Sequence, residues 1–154
     1  MGRYFAVIFI LAACTVQWCA SSSCCETFWM QRGSFCYRVI GSPLNWLDAG
    51  TACRNYGGEL ASIQDGAENT FVYDLWRTQT RSPSGGFWIG LNDVSNENNF
   101  AYSDGTAYDY QHWAPGEPNN DDNEDCIHLW KNTKEWNDRE CSSELAYVCK
   151  MALE

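Results

Sequence analysis

Seven cysteines follow a short apolar leader, and nothing else limits so strongly what this chain can fold into. The leader carries one charge, Arg3, ahead of the run Tyr4 to Val16, which is too short to span a bilayer. It reads as a secretory signal over residues 1–22, with cleavage between Ala20 and Ser23. Of nine cysteines, Cys14 and Cys19 fall inside it. Cys24, Cys25, Cys36, Cys53, Cys126, Cys141 and Cys149 remain for the mature chain. Such a leader implies a secreted, extracellular protein, and in that oxidising compartment cysteines are mostly paired. Spacing alone does not choose among the pairings, and an odd number leaves one for a free thiol or an interchain bridge. Zinc is disfavoured, because there is no Cys-x₂-Cys pair and His112 and His128 are not spaced as ligands.

Residues 23–154 have the length of one domain. Losing Arg3 takes the formal charge from −10 to −11, with nine basic residues against twenty acidic ones. Nucleic-acid binding needs a basic face, so that balance argues against it. Mean hydropathy is negative, yet eight Trp, eight Tyr and seven Phe suffice for a core. Beyond the leader no apolar run could cross a membrane, and no lipidation motif is present.

The pattern of apolar residues predicts a few elements. Phe35 to Val39 reads as a strand in a hairpin with Phe28 to Gln31, turning at Gly33-Ser34. Asn45 to Tyr56 reads as a helix with Trp46, Ala49, Ala52, Cys53 and Tyr56 on one side, ended by Gly57-Gly58. Asp65 to Gln79 reads as a second helix. Asp65 is its cap, Glu68 stands three residues on, and Phe71, Val72, Leu75 and Trp76 face inward. Phe87 to Leu91, Ile127 to Trp130 and Ala146 to Cys149 read as strands. Between them, Asn92 to Asp125 has little periodicity, and a loop that long is usually functional.

Glu117-Pro118-Asn119, Glu124-Asp125 and Trp136-Asn137-Asp138 carry the chemistry. Hard cations such as Ca²⁺ take six to eight oxygen ligands from carboxylates, amide carbonyls and water. Carboxamides beside carboxylates also offer donors and acceptors together, as a sugar hydroxyl requires. Asp121-x-Asn123-x-Asp125 starts like an EF-hand but fails at Cys126, where Gly is needed, and at Asn132, where Glu is needed. No nucleophile motif accompanies the histidines. Carboxylates bound to a cation and ionised leave no free acid for glycoside hydrolysis, so no enzyme is expected.

The order of motifs resembles the C-type lectin domain over essentially all of residues 23–154. Cys25 and Cys36, followed by Tyr37, are similar to that family's N-terminal hairpin pair. Glu59-Leu60-Ala61-Ser62-Ile63, Glu68-Asn69-x-Phe71-Val72 and Trp88-Ile89-Gly90-Leu91 resemble its signatures. The resemblance implies an α+β fold of two helices and small antiparallel sheets with a long calcium-binding loop. It implies bridges Cys25–Cys36, Cys53–Cys149 and Cys126–Cys141, which leaves Cys24 as the odd cysteine, open to a disulfide-linked dimer or oligomer.

It also implies roles. Glu117, Asn119, Glu124, Asn137 and Asp138 match the family's principal calcium site, which binds sugar, with Pro118 preceded by a cis bond. Asp93, Glu97, Asn120, Glu124 and Asp125 match an auxiliary calcium site, with Phe100 supporting the register. In the family, Glu before Pro and Asn after it go with mannose, glucose, N-acetylglucosamine or fucose. Aromatic stacking, from Trp113 or Trp130 here, can select galactose instead. The expected protein is a secreted, Ca²⁺-dependent lectin for mannose-type glycans on microbial or cell surfaces, serving innate immunity. The alternative on the same fold is a calcium-organised structural protein, such as a biomineral matrix, ice-binding or venom-type component.

Overall fold

The computed structural model describes residues 24–80 and 85–153. The leader expected over 1–22 lies outside the described residues. Among the described residues no helix is long and apolar enough to cross a membrane.

Among the described residues, eight strands and two helices follow one another as β1 (Met30–Arg32), β2 (Phe35–Leu44), α1 (Trp46–Asn55), β3 (Glu59–Leu60), α2 (Gly66–Gln79), β4 (Gly86–Asn92), β5 (Ala101–Tyr102), β6 (Cys126–Trp130), β7 (Trp136–Arg139) and β8 (Leu145–Ala152). The strands join in one sheet of order β1-β2-β8-β4-β6-β7, with β3 on β8 and β5 on β4. This corrects the expected set of small antiparallel sheets. The sheet is continuous, and its β4–β8 pair is parallel.

Alternation along the strands divides the core between the two faces of this sheet. Phe87, Ile89, Leu91, Ile127, Leu129, Ala146 and Val148 point to one face and pack with Val72, Leu75 and Trp76 of α2. Trp88, Cys126, Leu145, Tyr147 and Cys149 point to the other and pack with Ala49 and Cys53 of α1. Each helix is held by its cap. Asn45 Oδ1 accepts from Asp48 N at 2.9 Å, and Asp65 Oδ1 accepts from Glu68 N at 2.6 Å. Gly57 takes a φ of +85° just past α1, where a side chain would be strained.

The Glu68 side chain does not complete a capping box with Asp65. Its Oε2 accepts from Gln64 N at 2.7 Å. Its Oε1 takes the Tyr37 hydroxyl and, at 2.7 Å, the ammonium of Lys150 on β8. Lys150 Nζ also donates to Ser62 O at 3.0 Å. Burial and the neighbouring Glu68 push the Tyr37 phenol well above its ordinary range, so it remains a donor. The result is an ion pair sealed between α2 and the sheet.

Cys25–Cys36, Cys53–Cys149 and Cys126–Cys141 are bonded. The second closes 96 residues, a loop for which chain entropy contributes about 4–5 kcal/mol. Cys24, the odd cysteine of the mature chain, is disulfide-bonded as well.

Close approach explains one glycine of the Trp-Ile-Gly-Leu run. A Cβ on Gly90 would stand 2.7 Å from Leu60 O, and Gly90 N donates to Ala61 O at 2.9 Å. The strand and the β3 segment are therefore locked backbone to backbone. Gly90→Ala is expected to destabilise the fold by about 1–3 kcal/mol. Urea denaturation measures this, and an unchanged midpoint would show that the two segments are free to part.

Candidate functional site

Strand β7 carries Asn137 and Asp138, 8% and 1% exposed, and the loop from His112 to Asp125 is laid along it. Trp136 N donates to His112 O, and Ala114 N donates to Trp136 O. Trp136 itself is anchored below, its indole N–H donating to Asn69 Oδ1 at 2.8 Å. Beyond Ala114 the backbone turns. Glu117 N donates to Ala114 O at 3.0 Å, and the Glu117–Pro118 bond is cis.

The two carboxylate oxygens of Asp138 then accept from Asn119 N at 3.2 Å and Asn120 N at 2.7 Å. Asn119 Oδ1 accepts from Asp121 N, and Asn120 Oδ1 accepts from Glu124 N. Asn120, Asp122 and Asn123 all take positive φ, a region in which Asn and Asp are several-fold enriched. The run of Asn and Asp is thus what lets this stretch coil tightly over β7. Asn137 Nδ2 donates to Asp138 O, which leaves its oxygen for another partner.

Electrostatics show which of these residues share a neighbourhood. Burial, then hydrogen bonding with Asp138, raises the Glu117 carboxyl above its ordinary range. Burial, then the charges of Asp138, Glu117 and Asp121, push Glu124 up to about 7, against an opposing pull from Arg139. Glu117, Glu124 and Asp138 therefore form one acidic neighbourhood, with Asn119 and Asn137 beside it. In water alone their mutual repulsion is relieved only by protons or by a cation.

A second acidic group stands next to it. Carboxylate oxygens of Asp93, Glu97 and Asp125 lie within 4.8 Å of one another. Asp93 N donates to Asp125 O at 3.1 Å, and Asp93 Oδ2 accepts from Asn98 N at 2.8 Å. Burial raises the Asp93 carboxyl, the Asn98 bond opposes it, and Glu97 and Asp125 add to it. Of the five residues expected here, Asp93, Glu97 and Asp125 come together. The Asn120 oxygen is turned onto Glu124 N, and the Glu124 carboxyl answers to the Glu117 and Asp138 side.

Six buried side-chain atoms among the described residues lack a hydrogen-bond partner, and three of them are oxygens. These are Asp93 Oδ1, Glu117 Oε2 and Asn137 Oδ1. All three belong to the ligand sets expected from the sequence. Buried acceptors are rarely left so, because each forfeits its hydration. An all-oxygen donor set of this kind fits a hard cation of the calcium type.

Two further orphans, His128 Nδ1 and Arg139 Nε, flank the site; sequence reading weighed His128 only as a metal or triad residue and missed Arg139. Burial, reinforced by the charge of Arg139, pulls the His128 imidazole down to about 3, so it is neutral. The position of Arg139 directly after Asp138 was the only signal in the sequence, and it fits no ligand pattern.

Residues 42–151 match the family model described as Lectin C-type domain. A C-type lectin of Thrasops jacksonii, one of the lectoxins, is 37% identical, over 97% of this chain and 98% of its own. The alpha-N-acetylgalactosamine-specific lectin of Patiria pectinifera is also 37% identical, over 80% of this chain and 78% of its own. Among solved structures, a calcium-independent type II antifreeze protein superposes with a TM-score of 0.78 at 27% identity, covering 87% of this chain and 98% of that one. The fold is thus shared by proteins with different tasks. On the matched span and these identities, the chain belongs to the C-type lectin domain family.

Proposed function

We propose that this chain is a secreted, calcium-dependent lectin that binds glycans of the mannose type. The observation that carries the reading is the set of orphaned buried oxygens on Asp93, Glu117 and Asn137, each on a residue of a proposed ligand set. Glu117, Asn119, Glu124, Asn137 and Asp138 would hold the principal ion. Asp93, Glu97 and Asp125, with Asn120 and Glu124 at the junction, would hold the auxiliary one. A bound Ca²⁺ supplies open coordination positions for two vicinal sugar hydroxyls. The protein's part is to orient them. A hydroxyl can donate to Glu117 or Glu124 and accept from the amide of Asn119 or Asn137. No free acid remains in such a site, so the reading is one of binding and not of catalysis.

Secretion rests on the leader at 1–22 and on three disulfides, which persist in oxidising compartments. The mature protein would be residues 23–154. Recognition of microbial or other cell surfaces in innate defence is the role that best suits a soluble mannose-type lectin. One shallow site binds weakly, so agglutination would need several linked copies. Galactose is the alternative, with Trp113 half-buried against Trp136 beside the site.

The test is retention of the refolded mature domain on mannose-coated and galactose-coated beads, with Ca²⁺ and then with EDTA. Release from mannose by EDTA is the expected result. Calcium-dependent retention on galactose alone would reverse the specificity. Retention on mannose that ignores EDTA would sink the calcium mechanism.

Acid should release the ion. In the cation-free fold the Glu124 carboxyl is raised to about 7, so it holds a proton below that pH, whereas calcium needs it ionised. Affinity is present above pH 7 and is lost as pH falls through it. Competition at Glu124 alone predicts about a tenfold weaker calcium affinity at pH 6 than at pH 8. Calcium titrations at the two pH values decide this, and equal affinities would mean that Glu124 is not a ligand.

A further inference from the structure

A cavity of about 450 Å³ opens beside the β6–β7 hairpin. His128, Trp130, Lys131, Thr133 and Arg139 line it. Register places it. Cys126 pairs with Arg139 and His128 with Asn137, so His128, Trp130, Arg139 and the proposed ligand Asn137 rise from one face of the hairpin. Lys131, at the turn, is fixed to the start of β4 by its N–H, which donates to Gly85 O at 2.9 Å.

Two observations single this cavity out. His128 is 1% exposed and its Nδ1 has no partner, while Arg139 has a buried, unpartnered Nε. A guanidinium N–H withdrawn from water and left without an acceptor is a charged donor awaiting one. The second observation concerns charge. In a chain of net charge −10, the ion pairs among the described residues take Arg32, Arg54 and Lys150. Arg38 and Lys134 lie over the rings of Tyr56 and Tyr73. Lys131 and Arg139, like Arg77 in the last turn of α2, have neither kind of partner among the described residues. The charge of Arg139 acts on Glu124, which belongs to the proposed ligand set.

We infer that this cavity is a subsite for an anionic substituent, a sulfate ester or a carboxylate, on a saccharide. The inference rests on the carbohydrate-binding reading, because Arg139 follows Asp138 directly in β7 and the cavity adjoins that site. Arg139 Nε and the ammonium of Lys131 supply charged donors, which bind oxyanions more strongly than neutral ones do. The ring of Trp130 supplies an apolar wall for a sugar face. A neutral sugar engages none of the charge. An acidic one would join the two sites.

The experiment measures binding of N-acetylglucosamine 6-sulfate against N-acetylglucosamine, and of glucuronic acid against glucose, in Ca²⁺ and in EDTA. Wild type and the variants Lys131→Gln and Lys131→Gln/Arg139→Gln are compared. The wild-type protein is expected to prefer at least one acid over its neutral counterpart by about tenfold. Lys131→Gln, at an exposed turn, is expected to reduce that ratio and leave N-acetylglucosamine affinity unchanged, and the double variant to abolish it. A preference confined to the sulfate or to the uronate supports the subsite and identifies the group.

A ratio near one for both acids in the wild type, or a preference that survives in the double variant, overturns the proposal. Neutral sugars held through calcium, with no gain from either acid, would remove the subsite and leave the lectin standing. Acidic sugars held in EDTA through Lys131 and Arg139, with neutral sugars never bound, would do the reverse.

Discussion

Asp138→Ala is expected to abolish sugar binding and to weaken calcium affinity by about a hundredfold or more. The size of the effect follows from a double duty. The Asp138 carboxylate is a proposed ligand, and its two oxygens also tether the backbone at Asn119 and Asn120. Charge-assisted hydrogen bonds contribute about 1.5–3 kcal/mol each, so alanine removes both an anion and the two ties that hold the facing loop in place. The body of the fold should survive, because Asp138 belongs to neither core cluster. Thermal melting in EDTA separates the two effects. A variant that still melts cooperatively in EDTA, somewhat below the parent, yet fails to bind calcium meets the expectation. Calcium affinity within a few-fold of the parent would remove Asp138 from the site.

The second large effect lies in the interior. Lys150→Met is expected to cost about 3–5 kcal/mol, because it leaves the Glu68 carboxylate buried without its cation. The pair is 2.7 Å apart with both side chains about nineteen-twentieths buried. Lys150 also stands 4.4 Å from the centre of the Phe35 ring, so methionine forfeits a cation–π contact as well. The double replacement Glu68→Leu/Lys150→Met should recover most of the loss, since no charge is then stranded. Urea midpoints for the two variants test this. A single variant as stable as the parent would show that water reaches Glu68.

The two helices were legible because their apolar residues keep a 3.6-residue period between an Asn or Asp cap and a terminating turn. β4 was legible as an unbroken apolar run. β2 runs five residues past its expected end, through Gly41, Ser42 and Pro43, residue types that turns favour. A register shift between Ile40 and Leu44 accommodates them while pairing with β8 continues. β7 escaped for the opposite reason. Trp136-Asn137-Asp138-Arg139 is largely polar, and only its ladder with β6 makes it a strand. The parallel β4–β8 pair and the Glu68–Lys150 ion pair join residues far apart in sequence, so no local pattern announces them.

The site divides in the same way. Its proposed ligands stand in a motif that spacing and family resemblance exposed. That Asp138 fastens the loop over β7, and that His128 and Arg139 back onto a cavity, are consequences of pairing across the hairpin. Glu68 shows the limit of a local rule. It sits where a capping-box partner belongs, yet the carboxylate turns inward to a lysine from the last strand.

The ends of the domain are fastened together. Phe35 pairs with Ala152, and Leu153 N donates to Ser34 O at 2.8 Å. The N-terminal strand β1 lies at one edge of the sheet and β7 at the other, five strand spacings apart, or about 24 Å. Anything joined to the start of the domain, whether a tag, a resin or another module, therefore hangs from the flank opposite the proposed ligand loops. Sensor chips loaded through that end would present the loops outward, and a chain of such domains strung on a common stalk would bristle with them.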